Sequence, residues 1–184
     1  MLKVIFFVWW FFAPSGVANI AAFFSGKNKQ LQNYSYPADF YLKFRGKRIL
    51  GDHKTIRGFI FGILSSIFIV YLQIALYNNL EFVRNLVWID YNTINPIIFG
   101  FLSGFGSLFG DSVKSFFKRQ MNIKPGKSWV PFDQIDYILG GIVFTSFYIK
   151  LSFYEYIILF FVWFLLHPAT TFLGYLFKLK EEPL

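Results

Sequence analysis

The chain has 184 residues, of which 55% are hydrophobic and 23% aromatic, with 27 phenylalanines and no cysteine. Only 15% are charged, against about a quarter in an ordinary soluble domain, and a soluble fold of this size has too little interior for so many aromatics. The composition excludes a water-soluble domain, a disulfide framework and a cysteine-based zinc site, and the net charge of +8 points first to cytoplasmic loops facing anionic headgroups.

Residues 2–24 are almost wholly apolar and predict a transmembrane helix, kinked or thinned near Pro14. A cleaved signal peptide ranks below a span here, because the run is long, its positive start is Lys3 alone and no small-residue cleavage site stands out. Residues 25–57 form a polar connection with eight cations (Lys27, Lys29, Lys43, Arg45, Lys47, Arg48, Lys54, Arg57) against two acids, Asp39 and Asp52. Its end sets Asp52 beside Lys54, Thr55 and Arg57, with Gly46, Gly51 and Gly58 freeing the backbone to approach a ligand. Residues 59–77 predict a second span, and residues 78–95 a connection on the far side with Trp88 and Tyr91 as interfacial anchors.

The apolar run 96–110 is fifteen residues long. At about 1.5 Å per residue it falls short of the roughly 30 Å hydrocarbon core. The helix is therefore predicted to continue to about Phe117, carrying Asp111 and Lys114 into the inner membrane face. A lone carboxylate there costs about 2.5 to 3.5 kcal/mol, so it is expected to be paired or metal-bound. Residues 135–149 and 154–177 supply a fourth and a fifth span. The expectation is an all-α integral membrane protein, one membrane domain over residues 1–184, with about five transmembrane helices and two cytoplasmic polar loops. Fifteen of the eighteen Lys and Arg residues fall in 25–57, 111–134 and the tail, which contains Lys178 and Lys180. The positive-inside rule puts those segments and the C-terminus in the cytoplasm and the N-terminus outside.

The charge concentrates between Gly110 and Gly141. Read as helix, Asp111, Lys114, Ser115 and Lys118 share one face. Asp133 and Asp136 are three apart, just after Pro131, and share a face in the first turn of the next helix. Opposed carboxylates with Lys114, Lys118 and Arg119 beside them suit a divalent metal plus polyphosphate. An ion pair of Asp111 with Lys114 or Lys118 would serve insertion alone, but two acidic clusters on one membrane face exceed that need. Gly100, Gly104, Gly106 and Gly110 make two G-x-x-x-G spacings, read as close helix packing ahead of a groove for a lipid chain. His167, before Pro168, is expected to bond backbone near the proline break; His53 sits in the charged loop.

Phosphate-loop, zinc-protease and serine-hydrolase signatures are absent, as is the D-G-x-x-A-R motif of membrane CDP-alcohol phosphotransferases. The aromatics lie in the spans rather than among the basic residues, so no nucleic-acid partner is expected. A small transporter or channel subunit would carry polar residues through to the far side. Here they stop at the cytoplasmic third apart from Ser65, Ser66, Gln73, Thr145 and Ser146, which ranks it below an enzyme. A non-catalytic scaffold is the third reading.

These blocks resemble the CDP-archaeol synthase family, membrane CTP:lipid-phosphate cytidylyltransferases distantly related to bacterial CDP-diacylglycerol synthases. The likeness runs through Pro14 and Asn19, Pro37 and Asp39, the block from Gly46 to Thr55, and Arg57-Gly58. It resumes at Gly110-Asp111, Lys114-Ser115, Lys118-Arg119, Lys124-Pro125-Gly126, Pro131 through Asp136, and Gly140. Departures are Arg45, where the family often has an acid, and Thr171, where it usually has asparagine. The resemblance implies attack of a membrane lipid phosphate on CTP to give a CDP-lipid and pyrophosphate, in phospholipid biosynthesis. It implies Asp111, Lys118, Arg119, Asp133 and Asp136 as catalytic, with Mg2+ held by Asp111, Asp133 and Asp136. Asp52, Lys54, Thr55, Arg57, Lys114 and Ser115 would bind CTP and the lipid phosphate. A homodimer is compatible with this reading.

Overall fold

The computed structural model describes residues 1–28, 33–124 and 127–176; Lys29, Pro125, Gly126 and the tail from residue 177, with Lys178 and Lys180, lie outside the described residues. In chain order the elements are α1 (Leu2–Lys27), β1 (Lys43–Phe44), β2 (Lys47–Arg48), α2 (Ile56–Asn79) and α3 (Glu81–Leu86). A 3-10 turn, Tyr91–Thr93, leads to α4 (Pro96–Gln120), α5 (Phe132–Thr145) and α6 (Phe153–Leu176). The protein is a helical integral membrane protein: α1, α2 and α4 are each long and apolar enough to cross a bilayer, and α6 contributes the shorter apolar helix Phe153–Ala169.

The helices begin where capping chemistry dictates. Thr55 Oγ1 accepts a hydrogen bond from Gly58 N at 3.1 Å to start α2. Asn95 Oδ1 accepts from Ile97 N and Ile98 N to start α4, with Pro96 at the first helical position. Two expectations shift. α4 runs to Gln120, beyond Phe117, and α5 occupies Phe132–Thr145 rather than 135–149. The proline turn at Pro131 therefore starts α5 early enough to place Asp133 and Asp136 on helix. Pro14 sits inside a continuous α1, buried among its neighbours.

α1 is the central post and touches α2, α4, α5 and α6. Its Phe7, Val8, Phe11 and Phe12 are buried together with Val70, Phe99, Ile138 and Leu159. Tyr91 belongs to this core and not to the interface: it is fully buried, against Trp10 and Tyr77, whereas Trp88 stays half exposed over Phe7. A buried polar seam ties α1 to α4. Ser15 Oγ donates to Ser103 O at 3.0 Å, Ser107 Oγ donates to Ser15 O at 3.0 Å, and Asn19 Nδ2 donates to Ser107 Oγ at 3.1 Å. With no hydrophobic drive between helices in lipid, such bonds and close backbone packing decide register.

The closest backbone approach joins α4 to α5. A Cβ added at Gly110 would lie 2.2 Å from Asp136 O, and one at Gly140 would lie 2.2 Å from Gly106 O. Gly100 and Gly104 face α2 less tightly, a Cβ at Gly100 lying 2.5 Å from Ile67 Cα and one at Gly104 lying 2.9 Å from Ser66 Cβ and 3.0 Å from Ile63 Cα. The glycine spacings are thus helix contacts.

The polar connection folds onto the cytosol-expected end of α4. β1 and β2 pair antiparallel, turning through Arg45 and Gly46 at φ of 51° and 78°. Asp39 locks the turn region. Its Oδ2 accepts from Leu50 N at 2.9 Å and Gly51 N at 3.1 Å, and Arg48 grips both oxygens, Nη2 to Oδ1 at 2.6 Å and Nε to Oδ2 at 3.1 Å. Ala38 N donates to Lys54 O at 2.7 Å, which fixes where Lys54 leaves the loop.

Burial pushes the Asp39 carboxyl up, but Arg48 and the backbone donors of Leu50, Gly51 and Tyr41 outweigh it and hold the group down at about 2, from 3.8. A depressed folded value stabilises the fold at pH above the unfolded value, and that stability drains as pH falls from about 4 toward 2. The contribution is about 2 kcal/mol at neutral pH. The expected result is that Asp39→Asn melts below the parent near neutral pH and that the gap narrows on acidification toward about pH 3. A gap constant with pH in thermal melts of the detergent-purified proteins refutes it.

Candidate functional site

Three elements build one charged cluster. The last turns of α4 bring Asp111, Lys114 and Lys118; the first turn of α5 brings Asp133 and Asp136; the loop before α2 brings Lys54. The glycine contact between α4 and α5 lies directly beneath them, at Gly110 and the Asp136 carbonyl. That contact puts the carboxylates of two helices within reach of one cation.

The cation is the Lys114 ammonium. Its Nζ stands 2.9 Å from Asp111 Oδ1, 2.9 Å from Asp133 Oδ1 and 2.7 Å from Asp136 Oδ2. Each carboxylate is steadied through its other oxygen. Asp111 Oδ2 takes the Lys54 ammonium, Asp133 Oδ2 accepts from Trp129 N, and Asp136 Oδ1 accepts from Tyr137 N at 2.6 Å. Lys118 adds a second contact to Asp133, at 3.1 and 3.2 Å to its two oxygens, and also donates to the Lys127 carbonyl. The acids and Lys114 are largely buried, Asp136 most of all at 7% side-chain exposure. In such a setting the charges interact far more strongly than in water, and each depends on the others.

The structure places the remaining expected residues differently. Asp52 is 79% exposed and pairs with Arg48 Nη1 at 2.9 Å, not with Lys54. Lys54 instead crosses to Asp111, the more buried carboxylate and so the one with more to gain from a counter-charge. Thr55 serves as the cap of α2, and Ser115 Oγ donates to the Asp111 carbonyl at 2.8 Å, one turn back along α4. Arg57 is buried in the first turn of α2. Arg119 lies along Gly51, and its buried Nε makes no hydrogen bond to any described residue. His53 is exposed, and His167 stacks against the Tyr137 ring at 5.7 Å.

Two framing contacts escaped the sequence reading. Asp39 with Arg48 holds the hairpin, and Lys47 Nζ donates to Gln120 O at 2.6 Å, capping the C-terminal end of α4 with a positive charge. The only sequence signal for either was the clustering of Pro37, Asp39, Gly46, Lys47 and Arg48 in one loop.

Among the described residues no three His, Asp or Glu side chains stand preassembled around a metal position. The point on which three carboxylate oxygens converge holds an ammonium. The donor set still fits a hard divalent cation. It consists of oxygens alone, it presents three of them from three side chains to one point, and Asp136 Oδ2 is buried without a hydrogen bond, its charge met by that cation alone among its ion pairs. On another face of α4 an apolar groove of about 520 Å³ runs along Phe105, Phe109, Val113 and Phe116 and is lined also by Ala38 and Leu50 of the polar loop.

A family model described as CarS-like, CDP-archaeol synthase, matches residues 1–184. A CDP-archaeol synthase of Methanococcoides burtonii is 32% identical over 92% of this chain and 98% of its own length. One from Methanospirillum hungatei is 35% identical over 75% of this chain and 82% of its own. A solved structure described as an intramembrane enzyme for archaeal membrane lipid biosynthesis superposes with a TM-score of 0.66 over 88% of this chain and 90% of its own, at 22% identity, and so shares the fold. Full-length family match, relatives above 30% identity and shared membrane fold lead to one conclusion: the chain belongs to the CarS-like CDP-archaeol synthase family of membrane cytidylyltransferases.

Proposed function

We propose that the Asp111–Asp133–Asp136 cluster is where this cytidylyltransferase joins CTP to a membrane lipid phosphate of the archaetidic-acid type. A phosphate oxygen of the lipid attacks the α-phosphorus of CTP. A new P–O bond forms, the bond from the α-phosphorus to the bridging oxygen breaks, and its electron pair leaves with pyrophosphate. The nucleophile is already an anion, so no strong base is required, and the work is charge neutralisation and alignment. Asp111, Asp133 and Asp136 are the residues that would hold a divalent cation, Mg2+ in this reading, which would supply positive charge against the reacting phosphates. Lys54 and Lys118, from two elements, meet the carboxylates, and together with Arg119 and Arg57 they would grip the triphosphate and the lipid phosphate. Ser115 and Thr55 hold α4 and the start of α2 in place, and Asp52 supports the hairpin through Arg48.

The observation that carries this reading is the convergence of three carboxylate oxygens from two helices on one cation position, with lysines from two elements around it. The apolar groove along α4 is where the lipid chains would lie. Lysine and arginine counts support a cytoplasmic site, with the N-terminus outside and the C-terminus inside, so that CTP arrives from the cytosol while the lipid stays in the bilayer. The transporter reading finds no support in the relatives named above.

Purified, folded protein incubated with Mg2+, labelled CTP and a panel of ether- and ester-linked lipid phosphates is expected to yield CDP-lipid and pyrophosphate in equal amounts. The archaetidic type is expected to react fastest. No CDP-lipid from any of them sinks the assignment.

A further inference from the structure

Lys114 does not behave like the other lysines of the cluster. Lys118 spreads its bonds over Asp133 and the Lys127 carbonyl, and Lys54 is tied to Asp111. The Lys114 ammonium meets three carboxylates at once, at 2.7 to 2.9 Å. Every one of those carboxylates is steadied through its other oxygen, by Lys54, by Trp129 N or by Tyr137 N, so the three inward oxygens would hold their places if the ammonium left. Lysine offers a compact charge on a flexible unbranched stem, with no fixed fork to break.

We propose that Lys114 is a built-in stand-in for the divalent cation: it fills the carboxylate site when no metal is bound, and it must swing out for the metal to enter. The need for a stand-in follows from placement. Three carboxylates brought together from α4 and α5, with no charge at their centre, would repel one another in a poorly solvated setting. A resident ammonium removes that cost and lets the helices close on their glycine contact before any substrate arrives. It also sets the order of events. A metal arriving alone must evict a positive charge, whereas a metal arriving with a polyphosphate gives the displaced ammonium an anion to meet. Metal and nucleotide therefore help each other bind, and by linkage the help is mutual. The proposal rests on the cytidylyltransferase reading for its nucleotide half, but its metal half is measurable without turnover.

The probe is Mn2+ alone, with no nucleotide, titrated into detergent-purified protein while free Mn2+ is followed by electron paramagnetic resonance. Parent protein is expected to bind weakly. Lys114→Met and Lys114→Gln, which remove the charge, are expected to bind at least about ten-fold more tightly, and Mn2+ is expected to raise their melting temperature more than the parent's. Lys114→Arg keeps a cation in place and is expected to stay near the parent. Adding Asp111→Asn to Lys114→Met is expected to erase the gain, which places the ion in this cluster. Neutral variants that purify only with Mn2+ in the buffer support the proposal, because the metal then replaces the missing charge. Neutral variants that bind Mn2+ no better than the parent overturn it. So do neutral variants that fail to fold with Mn2+ present, or a Lys114→Arg protein that binds as tightly as Lys114→Met. A parent protein that makes no CDP-lipid, beside neutral variants that gain Mn2+ affinity, defeats the cytidylyltransferase reading and leaves the stand-in standing.

Discussion

Asp111→Asn is expected to cut CDP-lipid formation at least about a hundred-fold while the protein still inserts and purifies. The substitution keeps size and shape and removes one charge from the point where Lys54 and Lys114 meet. Two consequences separate. The first is chemical: the site loses one of three oxygen ligands and its hold on a divalent cation. The second is structural: Lys54 and Lys114, both largely buried, lose a shared counter-charge, and breaking a buried pair costs about 3 to 5 kcal/mol. A double-mutant cycle tells them apart. Lys54→Met removes the orphaned cation, so in the double variant with Asp111→Asn part of the stability is expected to return. Activity is not expected to return, because neither the metal ligand nor the phosphate-facing lysine is back. Near-parental turnover in Asp111→Asn, measured below its melting temperature, would reduce the cluster to an insertion device. A double variant that recovers both stability and turnover would do the same.

Much of this site is written locally in the chain, and the part that is not depends on tertiary crossing. The i, i+3, i+4, i+7 spacing of Asp111, Lys114, Ser115 and Lys118 needs nothing but helix geometry, and α4 has those residues on one run. The glycine spacings foretold close packing, and the structure supplies the partners, α2 for Gly100 and Gly104 and Gly140 of α5 for Gly106 and Gly110. The hairpin and its Asp39–Arg48 clamp were illegible because a two-residue strand carries no period to read, and a single aspartate nine positions from its arginine follows no local rule. Lys54 was matched to Asp52 because they are neighbours in sequence. Folding preferred Asp111, fifty-seven positions away, since a buried carboxylate gains more from a counter-charge than one that is 79% exposed. Ser115 and Thr55 looked like ligands by company, yet their hydroxyls answer backbone groups, the usual fate of such residues near helix turns. Tyr91 likewise read as an anchor from its position in the chain and turned out to be the floor of the core.

Gly110→Ala is expected to be the most damaging single-methyl change in the protein, with turnover down at least about ten-fold and stability down about 1 to 3 kcal/mol. A Cβ at that position would lie 2.2 Å from the Asp136 carbonyl oxygen and 3.1 Å from Gly140 Cα, so backbone has to move. No flexible side chain is there to yield. The helices that must separate are those carrying Asp111 and Lys114 on one side and Asp133 and Asp136 on the other, and an added methyl spreads the ammonium contacts that now measure 2.7 to 2.9 Å. Gly140→Ala, which meets Gly106 O at 2.2 Å, is expected to act the same way from the opposite helix. Gly26→Ala is the control, because a Cβ there meets nothing within 4 Å and the residue lies at the end of α1. A loss that tracks only the fall in melting temperature would mean that the glycines serve stability alone. A loss of turnover that persists well below the melt, together with weakened Mn2+ binding in the Lys114→Met background, ties the glycine contact to the spacing of the carboxylates. Full activity in Gly110→Ala would show that the site tolerates a wider gap between α4 and α5 than the ion-pair distances imply.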